Sequence, residues 1–272
     1  MKNLVKFLAC LLIAAVMGCV SDSGTGKPNN GNENGDEIMP DTGIKADIEA
    51  YIDAHWKEYG YKQKPNKFVA ISFDDGPCSP SNYGGTAAML AKLDELKVKA
   101  TFFVIGSNVR ANKSVAKAIF DAGHELGNHS DGYASLGSEA PSAIKSNLNA
   151  ASMAIKEITG KDPVLFRAPN LNHGSNLSQA CKEMGMALID GNTHNDWPGD
   201  AASIKNSVLS APFNGGIILL HDNNTSQGNT MSVLPEIVKG LRDKGFWILT
   251  VSQLAAVKGT SLEAGKRYNS IN

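Results

Sequence analysis

Phe68-Val69-Ala70-Ile71-Ser72-Phe73-Asp74-Asp75-Gly76-Pro77 is an apolar run that ends in two adjacent carboxylates and a Gly-Pro turn. The run predicts a strand over Phe68–Phe73. Successive side chains on an extended backbone point to opposite faces, so neighbouring acids can act on one site only where strand gives way to loop. Burying both without a counter-charge would cost several kcal/mol. A divalent cation is the natural partner, with one carboxylate as ligand and the other as a base beside it. Ordinary turn chemistry also accounts for Asp-Gly-Pro, and on this stretch alone it is the better account; the rest of the chain reverses that.

Outward from it, short apolar runs alternate with amphipathic helical ones. Strands are predicted over Phe68–Phe73, Ala100–Ile105, His124–Asn128, Val164–Arg167, Ala187–Asp190, Gly216–Leu220 and Phe246–Val251. Helices are predicted over Thr86–Leu96, Ser114–Ala122, Ser142–Ile158, Ser178–Met184, Ala201–Ser210 and Leu234–Lys244. Ile44, Ile48, Tyr51, Ile52 and His55 recur at helical spacing and predict a leader helix over Ile44–Tyr59. Seven strands separated by helices predict an α/β fold with a parallel sheet, and the regular alternation favours a (β/α) barrel over an open sheet.

In such folds chemistry gathers where strands end and loops begin. Polar clusters fall at those places: Asn128-His129-Ser130-Asp131, Arg167-Ala168-Pro169-Asn170, Asn195-Asp196-Trp197 and His221-Asp222, as well as Asp74-Asp75. A single strand-end His is most simply a half-buried, hydrogen-bonded imidazole. Repeated coincidence shifts the balance toward a shared site. His124 lies inside a strand run and is expected to be buried and bonded; His55 is expected to pack on the leader helix.

The 272 residues carry a formal net charge of −1, which gives no argument for nucleic acid or anionic lipid as a partner. Lys2 and Lys6 flank an apolar run from Leu4 to Met17 that is too short for a membrane span and fits an export signal. It ends Val16-Met17-Gly18-Cys19, which looks like a bacterial lipobox with Cys19 as the lipidated thiol. The expected organisation is a signal over residues 1–18, a flexible tether over 19–43, a leader helix and approach segment over 44–66, the main domain over 67–258, and a tail over 259–272. The tether is rich in Ser, Gly, Asn and Asp, and such composition cannot bury enough surface to offset its ordering entropy. Cys78 and Cys181 remain in the domain; export permits a disulfide, and both are treated as structural.

Taken in order, Ser72-Phe73-Asp74-Asp75-Gly76-Pro77, Gly127-Asn128-His129-Ser130, Arg167-Ala168-Pro169, Asp196-Trp197 and Ile218–His221 resemble the five motifs of the polysaccharide deacetylases, carbohydrate esterase family 4. The likeness spans roughly Lys67–Lys258. It implies an irregular barrel of about seven strands and one divalent metal, zinc or a cobalt-like ion. It implies Asp74 as catalytic base, Asp75 and His129 as metal ligands, Arg167 as partner of the base, and His221 as general acid. Three positions depart from the pattern. Tyr133 stands where a second metal-binding His is usual, Asn170 where Tyr is usual, and Thr193 where an Asp is usual. With Asp75 and His129 alone, waters or Tyr133 must complete the metal shell, and His173 or His194 is a further candidate. Asn170 would act through its main-chain N–H toward an oxyanion, which survives side-chain change. His-Ser-x-x-Tyr, Arg-x-Pro-Asn-Leu and Asn-Asp-Trp together look like the bacterial acetylxylan esterase branch.

The expected activity is metal-dependent removal of O-acetyl groups from xylan. An N-deacetylase of peptidoglycan or chitin-type N-acetylglucosamine, and a non-catalytic carbohydrate-binding relic, are the alternatives. In the hydrolase reading, Asp74 takes a proton from the attacking water, Arg167 keeps it ionised, and His221, raised and oriented by Asp196, protonates the departing sugar oxygen. Trp197 forms an apolar wall for the acetyl methyl or a sugar face, or else ordinary core. The partners expected are an acetylated polysaccharide and a membrane reached only through the lipid on Cys19. The expected setting is a monomer at the bacterial envelope, on the outer surface or in the periplasm.

Overall fold

The computed structural model describes residues 37–38, 42–80, 84–132, 135–193, 196, 199–222 and 227–272. The signal, Cys19, Tyr133, His194 and Trp197 lie outside them. Among the described residues no helix is long and apolar enough to cross a membrane.

β2 (Lys67–Asp74) is the central strand. It pairs in parallel with β8 (Gly216–His221) along one edge. Its other edge is shared: β9 (Phe246–Leu249) takes Lys67–Ala70, and β3 (Thr101–Val104) takes Ser72–Asp74. From β3 the sheet continues through β4 (Glu125–Asn128), β5 (Leu165–Phe166) and β6 (Ala187–Ile189); on the far side of β8 lies β7 (Asn192–Thr193). The seven predicted strands are all present, curled into an irregular barrel.

The two-residue period of β2 divides its side chains. Val69, Ile71 and Phe73 point outward into the helix-covered layer, while Ala70 packs in the interior with Phe103, Leu165 and Ile217. Ser72 and Asp74 share the parity of Ala70 and so face the interior. Outside the sheet lie α2 (Gly85–Glu95), α4 (Lys113–Asp121), α5 (Pro141–Thr159), α6 (Ser175–Glu183), α7 (Ala201–Ser210) and α8 (Gln227–Asp243). Local chemistry sets their ends: Pro141 begins α5 and left-handed Gly160 closes it, while Asp200 caps α7 by accepting from Ser203 N at 2.9 Å. The leader helix α1 (Thr42–His55) and α9 (Val251–Lys258) bury Ile48, Ile52 and Leu254 against Trp247 and Leu249 at the base of the barrel.

Several features depart from expectation. A short helix α3 (Gly106–Ala111) follows β3 directly. α8 starts seven residues before Leu234 and runs through Pro235. Glu37–Ile38 (β1), placed in the tether, pairs antiparallel with Leu262–Glu263. The segment read as a tail is part of the sheet: Arg267–Tyr268 pairs in parallel with β6, and Ile271 is fully buried. Such two-residue pairings carry no periodicity of their own and exist only because a partner edge is presented. Cys78 and Cys181 are both free thiols, and burial pushes Cys181 up to about 12.

Candidate active site

Strand register places the functional side chains on one level. Asp74 lies opposite His221 across β2 and β8, and Asn128, one residue before His129, lies opposite Phe166, one residue before Arg167. The polar ends of β2, β4, β5 and β8 therefore meet at the C-terminal mouth of the barrel.

Asp75 has φ 74, a left-handed backbone that breaks strand alternation and lets the neighbouring carboxylates serve one site. Such a conformation costs roughly 1–3 kcal/mol and persists only when its surroundings enforce it. Here Asn108 donates from Nδ2 to the Asp75 carbonyl at 2.9 Å, and Ile105 N donates to the Gly76 carbonyl at 2.9 Å.

Among the described residues Arg167 is the largest fully buried side chain. Its Nη1 donates to Asp74 Oδ1 at 2.6 Å and to Ser72 Oγ at 2.8 Å, and its Nε donates to the Ile189 carbonyl at 2.8 Å. Its guanidinium carbon stands 4.0 Å from the centre of the Phe103 ring. Burial pushes Arg167 down from its ordinary value, while Asp74 and Asp190 oppose that. Even so, a guanidinium retains its proton, so Asp74 faces a fixed positive charge.

His129 Nδ1 lies 2.8 Å from the Arg167 carbonyl, which can only accept, so Nδ1 carries a proton. Nε2 then faces Asp75 Oδ1 at 3.4 Å and Asp74 Oδ2 at 3.8 Å. One imidazole nitrogen set against two carboxylates calls for a cation between them, and an N/O donor set of this kind fits zinc or cobalt. Among the described residues no group of three His, Cys, Asp or Glu side chains forms a metal-holding cluster. His173 does not fill the gap; its Nε2 stands 2.8 Å from Asp190 Oδ1.

On the other flank, Asp196 Oδ1 is 2.7 Å from His221 Nδ1, while its Oδ2 accepts from His221 N at 2.6 Å and from Thr230 Oγ1 at 3.1 Å. Burial works against charge on His221. The hydrogen bond to Asp196 and the charges of Asp74, Asp196 and Asp75 outweigh it and lift the imidazole to about 9. The group is therefore protonated at neutral pH. Asn170 sits exposed in a 3-10 turn with φ 55, and Leu171 after it has φ 51. Asp222 is fully buried and takes a hydrogen bond from Thr86 Oγ1 at 2.5 Å, a part in holding the turn.

The structure thus brings Asp74, Asp75, His129, Arg167, Asp196 and His221 together. Ser72, Asn108 and Thr230 join them without having been anticipated. Ser72 was within reach of the sequence, since it shares the parity of Asp74 on β2; Asn108 and Thr230 are recruited from helices, where polar residues are common and uninformative.

A sequence profile of the polysaccharide deacetylases matches residues 61–189. A peptidoglycan-N-acetylglucosamine deacetylase of Bacillus cereus is 32% identical over 197 residues, which cover 71% of this chain and 90% of that protein. The chain belongs to the polysaccharide deacetylase family. Within that family, a bifunctional xylanase/deacetylase of Pseudobutyrivibrio xylanivorans is 36% identical over 207 residues. The match takes in 74% of this chain but 33% of that longer protein. A family 4 acetyl xylan esterase from Clostridium thermocellum, solved in complex with a cobalt ion, superposes with a TM-score of 0.70 at 32% identity. That likeness covers 75% of this polysaccharide deacetylase and 99% of the solved chain.

Proposed function

We propose that the protein hydrolyses acetyl groups from a polysaccharide, with O-acetyl groups of xylan as its substrate. The observation that carries this reading is the pairing of a base held by a buried cation, Asp74 with Arg167 at 2.6 Å, with an acid lifted to about 9, His221. Groups of opposite protonation across one mouth are what acyl transfer to water requires.

Asp75 and His129 would hold the divalent ion, with waters or Tyr133 to complete its shell. Such an ion, when bound, brings the pKa of a water to about 7 and polarises a carbonyl. Asp74 accepts the proton of the water that attacks the acetyl carbon, and Arg167 keeps Asp74 ionised for that role. The main-chain N–H at Asn170 donates to the developing oxyanion, an interaction commonly worth about 3 kcal/mol. As the carbon–oxygen bond breaks, His221 gives its proton to the departing sugar oxygen, leaving acetate and a free hydroxyl. Asp196 orients the ring through Nδ1 and directs the opposite nitrogen outward. Trp197 would supply an apolar wall for the acetyl methyl or a sugar face.

The combination of Tyr133, Asn170 and Asn195-Asp196-Trp197 supports the ester substrate, as does similarity to a xylanase/deacetylase and an acetyl xylan esterase. Similarity to a peptidoglycan deacetylase favours the amide as second reading. The lipobox-like ending at Cys19 supports an exported, lipid-anchored monomer at the outer surface or in the periplasm. Acetate release measured side by side on acetylxylan and on N-acetylglucosamine oligomers decides the substrate. Release from xylan alone, lost with chelator and restored by zinc or cobalt, is expected; release only from the amide overturns the ester assignment.

A further inference from the structure

A second polar cluster adjoins the site through Arg167, and its other members, His173 and Asp190, take no part in the chemistry above. His173 Nδ1 and Nε2, Asp190 Oδ1 and Arg167 Nη2 are all buried, and none makes an aligned hydrogen bond among the described residues. Yet His173 Nε2 and Asp190 Oδ1 stand 2.8 Å apart. A buried polar atom left unmatched costs about 1–3 kcal/mol, so the pairing of His173 with Asp190 is not neutral packing.

The cluster closes a loop. The near end, Arg167, is pinned by its side chain to Asp74, Ser72 and Ile189 and by its carbonyl to His129. The middle carries Asn170 and Leu171, both left-handed, a conformation that needs enforcement from both sides. Beyond them Asn172 bonds Ser135, and His173 meets Asp190. Asp190 is itself fixed at the end of β6: its N donates to the Tyr268 carbonyl at 2.9 Å, and Arg267 Nε lies 3.3 Å from Oδ2. Its charge also acts on the Arg167 guanidinium, which Asp74 already contacts. A single carboxylate thus serves both ends of the loop that bears Asn170.

We propose that His173 and Asp190 are positioning residues, a latch that holds the Asn170 main chain in its left-handed place while backing Arg167. Neither touches substrate or metal. The catalytic consequence rests on the reading under Proposed function; the latch itself does not.

The test uses the full chain and His173→Ala, His173→Gln and Asp190→Asn. Amide hydrogen exchange, which needs no substrate, is expected to quicken across residues 170–173 in His173→Ala while β2 and β4 stay protected. On acetylxylan, kcat is expected to fall about tenfold to a hundredfold in His173→Ala, the scale of a misplaced donor. KM and zinc affinity are expected to hold within about twofold, and His173→Gln, which keeps a donor toward Asp190, to recover most of the loss. Asp190→Asn retains the shape around Arg167 and is expected to show the same exchange pattern even where Asp190→Ala fails to fold. Unchanged exchange overturns the latch, and so does a loss confined to KM or to zinc affinity. A wild-type protein inactive on every acetylated substrate overturns the functional reading instead, and the exchange data still decide the latch.

Discussion

The two ends of the barrel hold imidazoles of opposite character. At the base, His124 is 1% exposed and accepts from Ala100 N at 3.1 Å, and burial together with Lys99 pushes it down to about 3. At the mouth, His221 is also largely buried, yet it is lifted to about 9. The contrast teaches that burial alone does not set an imidazole's charge. A backbone N–H pointing at one ring nitrogen demands a lone pair and a neutral ring, whereas a carboxylate demands a proton. The base, with Glu125 bonded to Thr101 and Ser252 and with Tyr59 and Tyr61 against Trp247, is built to hold the fold. The mouth spends backbone strain at Asp75 and a buried Arg167 to hold charges apart.

Breaking the mouth has the largest expected effect. Asp74→Asn keeps a partner for Arg167 but removes the base, and kcat on acetylxylan is expected to fall about a thousandfold in steady-state assays, with zinc retained in equilibrium dialysis. Activity near wild type would show that Asp74 is not the base. The acid flank sharpens the comparison through pH. His221 is active while protonated, so kcat is expected to fall as pH rises, with a limb at or below about 9, since a cation beside Asp74 and Asp75 offsets part of their pull. Asp196→Asn removes the main opposing influence to burial, and its limb is expected at lower pH. For stability the signs are opposed. A raised His221 contributes fully below its unfolded value of about 6.5, and that contribution is lost as pH climbs toward 9. His124, lowered to about 3, contributes fully above about 6.5 and loses it on acidification. The smallest effect on turnover is expected from His124→Leu. It strands the buried Ala100 N–H and costs about 1–3 kcal/mol in denaturant unfolding, with kcat within about twofold of wild type. A large loss of kcat there would dissolve the distinction between the two ends.

Much of this was legible in the chain. Phe68–Phe73 and its six counterparts are apolar runs bounded by turn residues, and strands of that kind announce themselves. Asp74, His129, Arg167, Asp196 and His221 stand at or near strand ends, where the barrel rule directs attention. What escaped did so for physical reasons. Arg267–Tyr268 and Asn192–Thr193 are strands only because a neighbouring edge offers hydrogen bonds. α3 is six residues long, too short to display a period. His173 was weighed as a metal ligand because an imidazole in a loop shows nothing of where it turns; Asp190, seventeen residues on, determines that.

The sequence by itself determined the alternation of strands and helices, and with it that carboxylates, imidazoles and a guanidinium would crowd one end of a parallel barrel, because side-chain period and strand polarity are local properties. Only the tertiary structure decided which atom faces which. The register that sets Asp74 beside His221, the carbonyl that protonates His129 at Nδ1, and the carboxylates that lift His221 against its burial are long-range contacts. Their energies depend on distances and desolvation that arise once the chain has closed.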